Sequence, residues 1–272
     1  MTNEVIMPAG SGGPDAVASP AGFYGGLAAE YDAMTGFGER LPRAAAFARV
    51  VRERFPPSLR VLDAATGTGL YAIAFAQAGA TAVCGLDLSA PMLVRAAQHA
   101  VAFGVPGIRW QDGSLTALPA AWTGAFDLAL CMGNSLPHLL TEAELATALA
   151  GFRCGLTPGG TLVLQVLNYA RVLAQRERLI SVDRAGDLEF IRFQDFLEGN
   201  LLRFNVLRLD WRQTPPAPQW HAVELRAWTA AELRTALVAA GFANLVNFGS
   251  LAFAPFDETS SDTLLLAARA PS

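Results

Sequence analysis

Val61-Leu62-Asp63-Ala64-Ala65-Thr66-Gly67-Thr68-Gly69 is the stretch on which the fold turns. An apolar run ends in a carboxylate, two glycines follow, and residues 69–78 then carry helical composition. Strand, glycine turn and helix in that order open a βαβ unit. Apolar strands preceding and following it are predicted at 59–63, 81–86, 105–110, 126–132 and, after the turn Pro158-Gly159-Gly160, at 161–167. Ser89 can cap the helix after the second strand, with Pro91 tolerated in its first turn. Thr141 and Glu144 form a capping box ahead of Leu145, Leu149 and Phe152, which share one helical face. This alternation predicts an α/β domain whose sheet is mostly parallel, with helices on both faces.

The pattern changes between 168 and 228. Long strand-like runs rich in Phe190, Phe193, Phe196, Phe204 and Trp211 surround a turn at Gly199-Asn200, which predicts an antiparallel hairpin insertion. A second capping box, Thr229 with Glu232, starts a helix with Leu233 and Leu237 inward and Gly241 at its end. Strands at 243–248 and 263–268 bring the sheet to seven. Residues 1–20, rich in Gly, Pro, Ala and Ser, are expected to be a mobile tail, and 21–272 one domain carrying the insertion at 168–228.

Composition bounds the function. The 272 residues are 52% hydrophobic and 16% charged, enough for a large core. All 20 basic residues are arginine, which excludes Schiff-base and P-loop lysine chemistry. A formal charge of −4 without a basic run speaks against nucleic acid. No apolar run is long enough for a spanning helix and no secretory pattern is seen, so no membrane partner is expected. Cys84, Cys131 and Cys154 lack metal or disulfide spacing; free thiols in a cytoplasmic protein without a metal are expected.

Gly67 and Gly69 remove Cβ atoms where a ligand would approach. A dinucleotide site would place a third glycine at position 72, which is alanine, and Asp63 would meet a pyrophosphate with a like charge. An ammonium-bearing ligand suits the turn better. Asp87, ending the second strand, can accept both hydroxyls of a ribose. Met92 lies within reach of a base, and Asp112, after the third strand, can accept from an exocyclic amine. Together these describe a pocket for a nucleoside with an amino-acid tail. Taken singly, each has a plain alternative: a tight turn, helix capping by Asp87 and Ser89, or a core methionine.

On Asp63 to Gly69, Asp87 with Met92, Asp112 and the 158–160 turn, the chain resembles the class I S-adenosylmethionine-dependent methyltransferases over about 21–272. The resemblance implies a Rossmann-like sheet, S-adenosyl-L-methionine as donor and S-adenosyl-L-homocysteine as product. It implies that Asp63, Ala65, Gly67, Thr68, Gly69 and Met132 line the methionine end. Asp87 would hold the ribose, Leu88 and Met92 would flank the adenine, and Asp112 and Gly113 would meet its edge. Tyr24, Tyr31 and Arg40 lie on the segment that closes over the donor in this family. The alternative is that these tyrosines pack a helix onto the sheet.

Gly133-Asn134-Ser135 with His138, then Asn168-Tyr169, looks like the glycine/sarcosine N-methyltransferase branch. In that branch an arginine precedes the Asn-Tyr pair and grips the substrate carboxylate; here the position is Leu167, which puts glycine in doubt. The alternatives are that Arg192, Arg203 or His221 takes its place, or that the acceptor is less polar. Asn134 and His138 are expected to orient a small-molecule acceptor, with Asn168, Tyr169 and Arg192 as further contacts. An amine needs little proton chemistry before attack, whereas a hydroxyl would need His138 as base. The alternative is that Asn134 or Ser135 caps a turn and His138 is a satisfied surface group. The insertion is expected to roof the acceptor, or to pair copies of the chain in a homo-oligomer. The rival class of function is a non-catalytic nucleoside-binding protein on the same scaffold; a nicotinamide oxidoreductase is disfavoured by Ala72 and Asp63.

Overall fold

Val61 and Leu62 are adjacent on the first strand and both buried, yet they belong to opposite layers. This is what a strand covered on both faces requires, and it explains why the central strands read as continuous apolar runs. The computed structural model describes residues 16–55 and 59–272. The chain begins with α1 Pro20–Leu27, α2 Tyr31–Thr35 and α3 Phe37–Arg52. There follow β1 Arg60–Ala64, α4 Leu70–Gln77, β2 Ala82–Asp87, α5 Ala90–Ala102, β3 Arg109–Asp112, β4 Phe126–Cys131, α6 Glu142–Gly155 and β5 Leu156–Leu167. Next come α7 Tyr169–Gln175 and four strands: β6 Leu179–Ala185, β7 Leu188–Phe196, β8 Leu201–Asp210 and β9 Ala217–Arg226. The chain closes with α8 Ala230–Ala239, β10 Ala243–Phe248 and β11 Thr263–Arg269.

The seven-stranded sheet has the order β10-β11-β5-β4-β1-β2-β3. It is parallel from β5 to β3, and β11 runs antiparallel to both β5 and β10. Helices α3 and α4 pack Phe47, Ile73 and Phe75 against one face, while α6 and α8 pack Leu149, Phe152 and Leu237 against the other. Strand order reverses between β1 and β4, which opens a crevice at their carboxyl ends, the place where open α/β sheets hold ligands.

The insertion between 168 and 228 forms a separate antiparallel sheet, β6-β7-β8-β9, with Gly199 and Asn200 at the β7–β8 turn, both at positive φ. Helices α1 and α2 cover it, with Phe23, Leu27 and Met34 packed on Phe190, Val206 and Val223. Both capping boxes form, Thr141 with Glu144 and Thr229 with Glu232.

Three expectations need correction. The third strand starts at Arg109, not at 105, because the Val105 N–H closes the end of α5 on the Ala100 carbonyl and Pro106-Gly107 turns the chain. The fifth strand starts at Leu156, pairing with Phe126 before a register shift and resuming at Thr161. The start of the insertion is helical, because the Asn168 side chain caps α7. Of the stretch read as a tail, residues 1–15 lie outside the described residues. The remainder is tied down: Ala18 N–H donates to the Ala222 carbonyl at 2.9 Å, and Ser19 caps α1. No helix among the described residues is long and apolar enough to cross a membrane.

Candidate functional site

The glycine turn holds three left-handed residues in five: Ala65, Gly67 and Gly69, at φ 57°, 56° and 89°. Its inner side is fixed by Asp63, 1% exposed, whose Oδ2 accepts from the Thr66 hydroxyl at 2.6 Å and the Ala72 N–H at 2.9 Å. Burial pushes the Asp63 carboxyl up to about 7 against those two donors. Asp63 therefore braces the turn from behind and does not line the cavity in front of it. Gly69 is also a packing residue: a Cβ there would lie 3.0 Å from the Trp110 ring and 3.1 Å from the Ala96 methyl. Gly67 faces forward, with the Tyr31 ring 4.0 Å from where its Cβ would be.

Asp87 couples the second strand to this turn. Its Oδ2 accepts the Gly67 N–H at 2.7 Å and its Oδ1 the Ser89 N–H at 2.9 Å. Burial raises its carboxyl above the ordinary value although three backbone N–H groups, of Ser89, Gly67 and Leu88, pull the other way. Ser89 occupies the cap position of α5 but makes no capping bond; its Oγ is buried without a partner. Ala65, Gly67, Asp87, Leu88, Met92 and Gly113 wall a cavity of about 400 Å³, within the range of small-molecule sites. The wall is completed by the 17–21 segment, by Ser114 and Thr116, and by Ser135, Glu144 and Glu224. The sequence does not mark these as wall residues, although Ser135 and Glu144 stand inside motifs it singles out.

Besides Asp63 and Gly69, four further expected donor-site residues lie outside this cavity's wall. Met132 belongs to the core. Thr68 is buried and receives His99 Nδ1 on its carbonyl. The Asp112 side chain is exposed and outside the cavity wall. Arg40 has its charge close to the Tyr71 and Tyr31 phenols, opposing the rise that burial gives them.

A second cavity, of about 160 Å³, adjoins the first, and Tyr24, Tyr31 and His138 line both. The Tyr24 hydroxyl and His138 Nε2 are 2.9 Å apart. His138 Nδ1 is buried without a partner. Burial lowers His138 to about 4, so the ring is neutral at pH 7. Burial also lifts the Tyr24 phenol well above its usual value, with Tyr31 and Asp87 adding to the effect. The junction is thus a neutral phenol–imidazole contact.

Asn134 lines the smaller cavity at positive φ. Its Oδ1 accepts the Leu167 N–H at 3.0 Å, and its amide exchanges hydrogen bonds with the Tyr169 hydroxyl at 2.9 and 3.2 Å. It therefore ties the ends of β4 and β5 together. Tyr169 stands behind it, 1% exposed. Asn168 is turned away: its Nδ2 donates to the carbonyls of Glu258 and Ser261 at 2.8 and 2.9 Å, clamping the late loop. Both residues drop out of the cavity wall as side-chain contacts. Arg192 is in the wall, its Nε on Ser181 Oγ and one Nη on Asp183, each at 2.8 Å. Ile180, Gln194, Phe204 and Leu225 of the insertion complete the roof. His221 packs instead against Phe23 and Gly26.

Residues 61–160 match a family described as a methyltransferase domain. Over 121 residues the chain is 34% identical to a glycine/sarcosine N-methyltransferase of Halorhodospira halochloris, covering 42% of each protein. It is 36% identical to a ubiquinone biosynthesis O-methyltransferase of Paracidovorax citrulli, covering 40% of this chain and 44% of that one. The aligned segment thus spans about two fifths of the length of these relatives. Among solved structures, the CcbJ methyltransferase from Streptomyces caelestis superposes with a TM-score of 0.76 at 23% identity, over 92% of this chain and 98% of that one.

Proposed function

We propose that this chain, which has the fold of the class I S-adenosylmethionine-dependent methyltransferase superfamily and a methyltransferase domain at 61–160, methylates a small molecule at an amine nitrogen. The observation that carries the reading is the meeting of two cavities at Tyr24, Tyr31 and His138, the larger fitted to a nucleoside and the smaller to an acceptor. The larger cavity fits S-adenosylmethionine in its residues. Asp87 offers carboxylate lone pairs to a ribose, Leu88 and Met92 offer apolar surface to an adenine, and the orphaned Ser89 hydroxyl awaits a partner. When bound, S-adenosylmethionine supplies an electrophilic methyl group: the amine lone pair forms the C–N bond as the S–C bond breaks, the electron pair stays on sulfur, and the product ammonium loses a proton to water.

The chain's own contribution is orientation and exclusion of water. Helices α1 and α2 and the insertion sheet roof the smaller cavity, and holding an acceptor in line is worth on the order of 7–11 kcal/mol in favourable cases. His138, lowered to about 4, is a weak base, which favours an acceptor that needs no deprotonation in the transition state over a hydroxyl. The similarity to a glycine/sarcosine N-methyltransferase supports nitrogen, and the similarity to a ubiquinone O-methyltransferase supports the competing O-methylation reading.

Calorimetric titration with S-adenosylhomocysteine tests the donor half of the proposal. Saturable binding in the micromolar range is expected. Assay of S-adenosylhomocysteine release against matched amines and phenols tests the acceptor half, with amines expected to be turned over. Turnover of phenols alone, with a pH limb that disappears in His138→Ala, would replace nitrogen by oxygen.

A further inference from the structure

Every polar side chain in the wall of the smaller cavity, apart from His138 and Tyr31, already has a protein partner. Thr35 Oγ1 donates to the Tyr31 carbonyl, the Asn134 amide is engaged by Tyr169 and Leu167, and Gln194 Nε2 donates to the Glu177 carbonyl. Arg192 is the one formal charge in the wall, and Asp183 neutralises it at 2.8 Å while Ser181 takes its Nε. The remaining surface is apolar: Phe23, Phe204, Met34, Leu167, Ile180 and Leu225. The polar atoms left without a protein partner are the Tyr31 hydroxyl and the buried His138 Nδ1, on two residues that line both cavities.

On the proposed amine methylation, we infer that the acceptor is a compact amine with an apolar body and no carboxylate, its nitrogen lying against His138. A carboxylate entering this cavity would meet no open cation and a single open donor, the Tyr31 hydroxyl. It would have to take Arg192 from Asp183 or remain buried and unpaired, which is strongly unfavourable. A single N–H, by contrast, needs one acceptor, which His138 or the Tyr31 hydroxyl supplies. Tyr24, Tyr31, Phe23 and Phe204 line the cavity, and aromatic surfaces favour an alkylated cation. The cavity's 160 Å³ corresponds to roughly five waters of bulk volume, room for an acceptor or an acceptor end of about five to eight non-hydrogen atoms. Glycine fits by size, so polarity decides between the classes.

The test uses the full chain. Protein saturated with S-adenosylhomocysteine is titrated calorimetrically with benzylamine, cyclohexylamine, glycine and sarcosine. The same four compounds are assayed with S-adenosylmethionine for release of S-adenosylhomocysteine. Benzylamine or cyclohexylamine is expected to bind, and to react with a kcat/KM at least tenfold above glycine and sarcosine. In Leu167→Arg, which adds a cation to the wall, that preference should shrink at least tenfold. Equal or better use of glycine or sarcosine by the native chain would overturn the inference and leave the methyltransferase reading standing. Failure of both apolar amines to bind the loaded protein would also overturn it. Failure of S-adenosylhomocysteine itself to bind would overturn the function reading instead.

Discussion

The two cavities that meet at His138 are built by different means. The floor of the larger is made by the ends of β1, β2 and β3 and by backbone conformation, the left-handed turn at Ala65 and Gly67 and Asp87 pinned by two N–H groups, while the 17–21 segment, Tyr24, Tyr31 and Glu224 close over it. The smaller is made almost wholly of side chains brought together from three distant parts of the chain. Helices α1 and α2, the turn after β4 and the insertion sheet each supply part of the wall. The floor of the first is a consequence of sheet topology. The second depends on how an added sheet and two N-terminal helices are packed over it. Donor binding should therefore be sensitive to a few main-sheet residues, and acceptor choice to residues of the roof.

Asp87→Ala should have the largest effect on the donor side. Loss of a charged acceptor for two hydroxyls should weaken S-adenosylhomocysteine about 100-fold by calorimetry. Phe204→Ala, on the roof, should raise the acceptor KM by about tenfold through lost apolar contact while leaving S-adenosylhomocysteine affinity within about threefold. If each variant disturbed both ligands equally, the division between the cavities would fail. Tyr24→Phe removes one hydrogen bond at the junction and should lower kcat about three- to tenfold with donor affinity unchanged. Ser89→Ala should weaken S-adenosylhomocysteine about three- to fivefold, yet leave the melting temperature of the ligand-free chain unchanged or higher, because it deletes an unsatisfied buried hydroxyl.

The same division explains what was legible in the sequence. The strands of the seven-stranded sheet, both capping boxes and the hairpin at Gly199-Asn200 were readable because periodicity, caps and turn residues are local. Gly67, Asp87, Leu88, Met92 and Gly113 were readable because a strand end, a glycine turn and a register position fix them. Asp63 and Gly69 were assigned to the ligand because sequence does not show on which side of a turn a group lies; Thr66, Ala72 and Trp110 claim them from behind. Asn168 was misplaced for a related reason: its partners, Glu258 and Ser261, are some 90 residues away. The strap at 17–21 was hidden because its anchor, Ala222, lies on the inserted sheet.

In the native chain the pH dependence of stability is expected to be small, because two opposing slopes overlap between about pH 4 and 7. His138 titrates near 4 when folded against an ordinary 6.5, so its contribution to stability is complete above about 6.5 and is lost as pH falls toward 4. Asp63 has the opposite sign: held near 7 against an ordinary 3.8, it contributes below about 3.8 and loses that contribution as pH rises to about 7. Urea melts at a series of pH values should show the two slopes separating in His138→Gln and Asp63→Asn, each variant removing the slope of its own residue.

A crystal structure of the chain with S-adenosylhomocysteine tests the central claim most directly. The account predicts the ribose hydroxyls on Asp87, the adenine between Leu88 and Met92, and the sulfur directed at the junction formed by Tyr24, Tyr31 and His138. Nucleoside density outside that crevice, or a sulfur pointing away from the smaller cavity, would contradict it.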